Sequence, residues 1–221
     1  MVTYKVYVFR HGKTDYNEKG KFTGWKDSKL TKSGIEDAKK VAKKLKNKNI
    51  GIAIHTKLSR SKQTLKEVLK FHPECKILIE DNRMIERSYG DLEGTTHDSF
   101  ISKIGKKELK LLEEGDAIGD LDPKTRKQVE KKLGTEVYDL IHRGYKIPPP
   151  NGESFADVEK RVKLFIKDLK KLIKKEKKNV MISAHGNSIR LFRKIMEKAD
   201  QKESTTWFIP YDKVYEYEFK I

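Results

Sequence analysis

Two stretches far apart in the sequence leave an apolar run in the same way: Val6-Tyr7-Val8-Phe9-Arg10-His11-Gly12 and Val180-Met181-Ile182-Ser183-Ala184-His185-Gly186. Each reads as a buried strand that delivers a histidine to a loop, where the following glycine lets backbone or ligand approach closely. Arg10 stands beside His11, and a neighbouring cation disfavours the protonated ring, leaving a neutral nucleophile. Arg60, Glu86 and Arg87 follow two further apolar runs and add guanidinium forks suited to an oxyanion and a carboxyl group suited to proton exchange. Either His-Gly motif alone is a weak signal. Together with the arginines and Glu86 they suit phosphoryl transfer through a phosphohistidine. One imidazole attacks, cationic groups and the second histidine neutralise the equatorial oxygens, and the carboxyl group protonates the leaving oxygen. No His-x-x-x-His pair or acidic cluster suggests a metal site, so no metal is expected.

The elements that must position these residues alternate between strand and helix. Val6–Phe9, Gly51–His55, Ile77–Ile79 and Val180–Ser183 read as strands, and Val214, Tyr215, Tyr217 and Phe219 as a last strand at a sheet edge. Thr31 caps a helix whose apolar face is Ile35, Ala38, Ala42 and Leu45, running to about Lys48. Leu65, Val68 and Leu69 mark a second helix. Phe155, Val158, Val162, Phe165, Ile166, Leu169, Leu172 and Ile173 give the clearest helical stripe, which is core. This pattern predicts an α/β fold: a mostly parallel central sheet with helices on both faces. In such a sheet, ligands bind beyond the carboxyl ends of the strands, where every candidate side chain falls. Met84–Gly94 is a charged, glycine-punctuated loop. Residues 95–150 are helix-biased and weakly amphipathic, broken once at Gly115–Pro123, and read as an insertion or lid over the C-terminal edge of the strands, within one domain spanning 1–221.

Composition narrows the class. The formal charge is +17, from 50 Lys+Arg against 33 Asp+Glu. Of these, 41 are lysines, strewn along helical faces as solvated charge, which argues against a nucleic-acid partner. The nine arginines are placed differently: Arg10, Arg60, Arg87, Arg143 and Arg190 lie in or beside the motifs, as bidentate oxyanion recognition requires. Cys75 is the only cysteine, so no internal disulfide forms. No stretch approaches the roughly 20 apolar residues of a membrane span, and the N-terminus reads directly into the first strand without a secretory signal. A cytoplasmic protein with no membrane partner is expected. Homo-oligomerisation is left open.

R-H-G with Thr14 and Asn17, S-R-S-K-Q-T at Ser59–Thr64 and A-H-G-N-S at Ala184–Ser188 resemble the histidine phosphatase superfamily, over nearly the whole chain. Within it, the sequence is most similar to the 2,3-bisphosphoglycerate-dependent phosphoglycerate mutases. F-T-G-W-K-D-S-K-L-T at Phe22–Thr31, E-R-S-Y-G at Glu86–Gly90, the long insertion and Y-K-I-P-P-P at Tyr145–Pro150 carry that likeness. The resemblance implies interconversion of 3-phosphoglycerate and 2-phosphoglycerate in glycolysis and gluconeogenesis, primed by 2,3-bisphosphoglycerate without a metal. His11 would be the phosphohistidine, Arg10, Arg60 and His185 the cradle of the phosphoryl group, and Glu86 the general acid and base. Asn17, Thr23, Gly24, Gly186 and Asn187 would contact oxygens of the small anionic substrate, with Arg87 and Tyr89 at its border. His97, His142 and Arg143 would hold the carboxylate end. The family usually has lysine where His97 stands, an arginine pair where His142-Arg143 stands, and glutamate where Lys13 stands. The chain also ends at Ile221, without the longer tail of many mutases. Fewer fixed cations and less water exclusion give the alternative, a phosphomonoesterase that hydrolyses a small phosphorylated metabolite through the same phosphohistidine.

Overall fold

Alternation along the first strand lets one segment serve two cores. In β1 (Thr3–Arg10), Val6 and Val8 point to one side and Tyr7 and Phe9 to the other, and all four are buried. The computed structural model describes residues 2–221. After β1 come the short helix α1 (Asp15–Glu18), α2 (Lys32–Leu45), β2 (Ile52–His55), α3 (Ser59–Leu69) and β3 (Ile77–Glu80). Two single 3-10 turns, Asn82–Met84 and Gly90–Leu92, lead into a helical hairpin, α4 (His97–Glu114) and α5 (Pro123–Arg143). The chain continues through α6 (Phe155–Glu176), β4 (Val180–Ala184), α7 (Gly186–Glu197), α8 (Gln201–Thr206) and β5 (Val214–Lys220).

The strands form one sheet in the order β3-β2-β4-β1-β5. The first four are parallel, and β5 takes the edge position that its sequence predicted, running antiparallel to β1. Val41, Ala42 and Leu45 of α2 and Leu65 and Val68 of α3 pack with Tyr7, Phe9, Ala53 and Met181 on one face. The apolar stripe of α6, with Ile189, Leu191 and Phe192 of α7, packs with Val6, Val8, Ile54 and Ile182 on the other. A parallel strand covered on both faces needs a continuous apolar run, and β4 is buried at every position. α2 stops at Leu45, short of Lys48, because Lys46, Asn47 and Lys48 offer nothing to bury. Among the described residues no helix is long and apolar enough to cross a membrane.

The helix-biased insertion is the α4–α5 hairpin. Its inner side does not form a core alone: Phe100, Ile101, Ile104, Val137, Tyr138 and Ile141 pack with Phe22 and Tyr89. Its open end, with His97 at the start of α4 and His142 at the end of α5, is thereby drawn to the carboxyl edge of the sheet.

Pairing of Arg10 with Ala184 sets the two His-Gly turns side by side, and the His11 amide donates to the Ala184 carbonyl at 3.1 Å. The loop after His11 is then wedged under α2. The Gly12 amide donates to Thr64 Oγ1 at 3.0 Å. A Cβ on Gly12 would lie 2.0 Å from the Gly34 carbonyl oxygen, and one on Gly34 would lie 2.0 Å from that of Lys13. Alanine is favoured over glycine inside a helix by about 1 kcal/mol. Forcing a methyl group against backbone costs about 1–3 kcal/mol. Gly34→Ala is therefore expected to lower the urea midpoint without changing the m-value, and to reduce turnover by shifting His11. A midpoint at or above wild type would show that the loop yields freely.

Candidate active site

His11 leaves β1 fully within the protein, and its Nδ1 lies 2.8 Å from the carbonyl of Gly12. A carbonyl only accepts, so Nδ1 carries the hydrogen and Nε2 keeps its lone pair. Burial, then the charges of Arg60 and Arg10, hold the ring's pKa well below its usual value. The result is a neutral imidazole with its nucleophilic nitrogen free of protein partners. The ring of His185 lies 5.0 Å away, centroid to centroid, oriented by a 2.8 Å contact between Nε2 and the hydroxyl of Thr56. Burial and Arg60 hold it neutral as well.

The cations are fixed through backbone carbonyls. Arg60 is fully buried on the first turn of α3 and donates to the carbonyls of Gly24 at 2.7 Å and Lys26 at 3.0 Å. Arg10 donates to the carbonyl of Ile209 at 3.0 Å, with its guanidinium 4.1 Å over the ring of Tyr211. The Nε atoms of both arginines and Nδ1 of His185 are buried without a hydrogen-bond partner. Buried donors are rarely left unpaired, and Arg10 and Arg60 line the cavity, so their Nε atoms suit an oxyanion there, whereas Arg87 Nε and His72 Nε2 are unpaired elsewhere.

Glu86 supplies the carboxylate. Its Oε1 accepts from the amides of Arg87 and Asn187, each at 2.9 Å. Oε2 faces Gly186: a Cβ there would lie 3.5 Å from it and 3.6 Å from Arg10 Cζ. One oxygen is tied down and the other stands opposite Arg10, free for proton exchange. The backbone around Glu86 is clamped in turn. Its carbonyl accepts from Trp25 Nε1 at 2.8 Å and Arg161 at 3.0 Å, and Arg161 also holds the carbonyls of Arg83 and Ile85.

These groups wall a cavity of about 170 Å³ together with Asn17, Lys21, Thr23, Gly24, Tyr89, Gly186, Asn187 and Arg190, and at the far end Phe22, His97 and His142. Asn17 reaches it from α1, where its Oδ1 accepts from the amide of Thr14. The volume corresponds to roughly six waters, room for a small ester. Three expected residues stand apart from the wall. His185 sits behind it. Arg87 is buried between the rings of Tyr89 and Phe155, 4.6 and 4.5 Å from their centroids, and donates to the carbonyl of Ile141. Arg143 turns away to the carbonyl of Thr205 at 2.8 Å and lines a neighbouring apolar hollow. The two remaining expected contacts at the carboxylate end are neutral. His142 stacks on Tyr138 at 4.9 Å, and burial, then Arg143 and Arg87, push its pKa down to about 2. His97 meets the edge of Phe22 at 4.5 Å and is lowered by burial.

Sequence reasoning missed Tyr211, Arg161 and Lys21, which lie outside the motifs, and did not place Arg190 in the site. Arginine scarcity in a lysine-rich chain was the available signal for Arg161. Among the described residues no group of His, Cys, Asp and Glu side chains could hold a metal ion.

Comparison with known proteins agrees with this geometry. The model of the histidine phosphatase superfamily (branch 1) matches residues 6–117 and 107–220, and the chain belongs to that superfamily. Its relatives include the 2,3-bisphosphoglycerate-dependent phosphoglycerate mutase of Parvibaculum lavamentivorans, 31% identical over 89% of this chain and 81% of that protein. The enzyme of the same name from Chlamydia caviae is 32% identical over 92% and 88%. Among solved structures, the phosphoglycerate mutase of Bacillus anthracis shares the fold with a TM-score of 0.71 at 23% identity, covering 99% of this chain and 88% of that one. So does a putative alpha-ribazole-5'-P phosphatase from Escherichia coli, with a TM-score of 0.70 at 19% identity over 96% and 89%.

Keeping His11, His142 and His185 neutral has a thermodynamic consequence. In the unfolded chain each titrates near 6.5, whereas the folded protein refuses the proton. Their contribution to stability is present above about pH 7 and is lost as pH falls below about 6.5, by up to ~1.4 kcal/mol per pH unit for each ring. Urea unfolding at pH 7.5 and 5.5 should show this slope, and His142→Phe should flatten it. Equal slopes in the two proteins would mean that His142 is protonated in the native state.

Proposed function

We propose that the protein is a phosphoglycerate mutase that interconverts 3-phosphoglycerate and 2-phosphoglycerate in glycolysis and gluconeogenesis, in the cytoplasm, through a phosphohistidine on His11. The observation that carries this is the pinned tautomer of His11, whose open Nε2 shares one small cavity with Arg10, Arg60 and the free oxygen of Glu86. The mutase names and extent of the relatives support it.

His11 Nε2 attacks phosphorus as the ester P–O bond breaks, and Glu86 Oε2 gives its proton to the departing alkoxide. Arg10 and Arg60 take up the charge on the equatorial oxygens, aided by His185. In the return half, Glu86 removes the proton of the acceptor hydroxyl as that oxygen attacks the phosphohistidine and Nε2 leaves. The unpartnered Nε atoms of Arg10 and Arg60 fit a phosphoryl donor. Bound there, 2,3-bisphosphoglycerate would supply the priming phosphoryl group.

A second reading has its own support. With His97 and His142 neutral and Arg143 turned outward, none of the three expected contacts at the far end is a fixed cation facing the cavity. Water as acceptor would make the same site a phosphomonoesterase.

Incubation with 3-phosphoglycerate and 2,3-bisphosphoglycerate, followed by intact mass and product assay, separates the readings. The expected result is one phosphoryl group mapped to His11, formation of 2-phosphoglycerate, and loss of both in His11→Ala. Phosphate release without 2-phosphoglycerate would select the phosphatase, and turnover by His11→Ala would remove the covalent route altogether. Glu86→Gln keeps the two amide contacts through its carbonyl oxygen but has no proton to exchange. Its turnover should fall by about 10²–10⁴-fold, while His11 phosphorylation by a donor with a good leaving group falls far less. Equal losses on both donors would assign Glu86 to structure.

A further inference from the structure

The nine arginines divide into two sets. Arg83, Arg126, Arg161 and Arg193 each pair with carboxylates. Among the described residues Arg10, Arg60, Arg87, Arg143 and Arg190 have no such partner. Arg10 and Arg60 serve the phosphoryl pole, Arg87 lies behind the wall, and Arg143 faces outward. Arg190 lines the cavity without a role in the chemistry at His11.

Its guanidinium is held but not neutralised. Nε donates to the carbonyl of Trp207 at 2.7 Å and Nη1 to Oδ1 of Asn187 at 2.5 Å, which leaves Nη2 without a protein partner. Burial, then the nearby charge of Arg143, lower its pKa to about 10, so it stays charged at neutral pH. Arg190 is partly buried and forms no ion pair, with Glu86 as the nearby carboxylate of the same wall, and an anion entering the cavity supplies the missing contact. Four further wall residues, Phe22, Tyr89, His97 and His142, carry no fixed charge. Lys21 is the remaining cation of the wall, on a flexible stem with its ammonium 5.2 Å over the ring of Tyr16.

We propose that Arg190 is a specificity-determining residue that binds a carboxylate on the substrate, so that the cavity has two cationic poles joined by a short spacer. This rests on the reading of a phosphorylated hydroxy acid as substrate, whether the acceptor is a hydroxyl or water. Arg190 lies three residues beyond Asn187 in α7, the helix that His185 caps. The helix therefore fixes Arg190 relative to Gly186 and Asn187, which border the same cavity.

Two esters test it: 3-phosphoglycerate, and glycerol 3-phosphate, which has a hydroxymethyl group in place of the carboxylate. The quantity read is the ratio of their kcat/KM values for His11 phosphorylation. Wild type should favour the carboxylate. Arg190→Gln should lose about 10- to 100-fold of that preference, and Arg190→Lys should retain part of it. An unchanged ratio in Arg190→Gln, or no preference in wild type, overturns the assignment. Loss of preference in a protein that makes no 2-phosphoglycerate would refute the mutase and leave Arg190 in place. If the variants fail to fold, wild-type crystals soaked with 3-phosphoglycerate decide. The carboxylate is expected within hydrogen-bond distance of the Arg190 guanidinium, and a carboxylate on Lys21 or in solvent overturns the proposal.

Discussion

The site is built on positive charge that the protein does not cancel. Arg10, Lys21, Arg60 and Arg190 face a cavity whose only acidic wall residue, among those described, is Glu86. Two imidazoles within the same cluster are held neutral by burial and by those guanidinium groups. Removing charge from water without a partner is expensive, and the protein bears that expense because an anion completes the arrangement. Burial is the larger cause of the neutrality of His11, and the guanidinium charges that add to it also favour an oxyanion. The field that disfavours imidazolium is the field that attracts phosphate.

What keeps this charge in place is the backbone carbonyl. Arg10 holds Ile209, Arg60 holds Gly24 and Lys26, Arg87 holds Ile141, Arg143 holds Thr205, Arg161 holds Arg83, Ile85 and Glu86, and Arg190 holds Trp207. Each loop bordering the cavity is folded around a guanidinium fork. A carbonyl satisfies a donor without neutralising it, so loop order and net positive potential are obtained together. At Arg60 and Arg161, which bridge two or more carbonyls, the planar fork gives a geometry that an ammonium does not.

The parts of this plan that follow from periodicity were legible in the sequence. Val6–Phe9 and Val180–Ser183 are apolar at every or nearly every position, and only a strand buried on both faces explains such short runs. From there the parallel sheet, the shared edge and the meeting of His11 with His185 follow. The stripe of α6 and the edge position of β5 were equally plain. Side-chain direction at the ends of elements was not. His142 and Arg143 are consecutive at the last turn of α5, where one residue's rotation separates a wall position from an outward one. Tyr211 and Ile209 lie in an irregular loop between α8 and β5, with no period to place them. Burial also reverses the role of His97 and His142. In sequence they stand where cations serve the resembling family, and only the surrounding rings of Phe22, Tyr89 and Tyr138 reveal that they are neutral.

The two proposed chemistries share a first half and differ in what the second half demands of the cleft. A phosphoryl group on His11 Nε2 lies in the field of Arg10 and Arg60 whichever acceptor follows. Hydrolysis then needs only a water near Glu86 Oε2. A mutase must let a bisphosphorylated molecule turn end for end, after which the second phosphoryl group reaches Nε2 while the carboxylate finds its own site again. That return requires a fixed distance between the two anion sites and remaining walls that do not grip. Arg190, held on α7, meets the first requirement on the proposed reading. The uncharged rings of Phe22, Tyr89, His97 and His142 meet the second, since a neutral wall guides by shape and leaves the anion free to turn. The histidines that weaken the pull on the carboxylate therefore do not by themselves argue for hydrolysis. They leave the fixed charge on the sheet side of the cleft, on the helix that His185 caps.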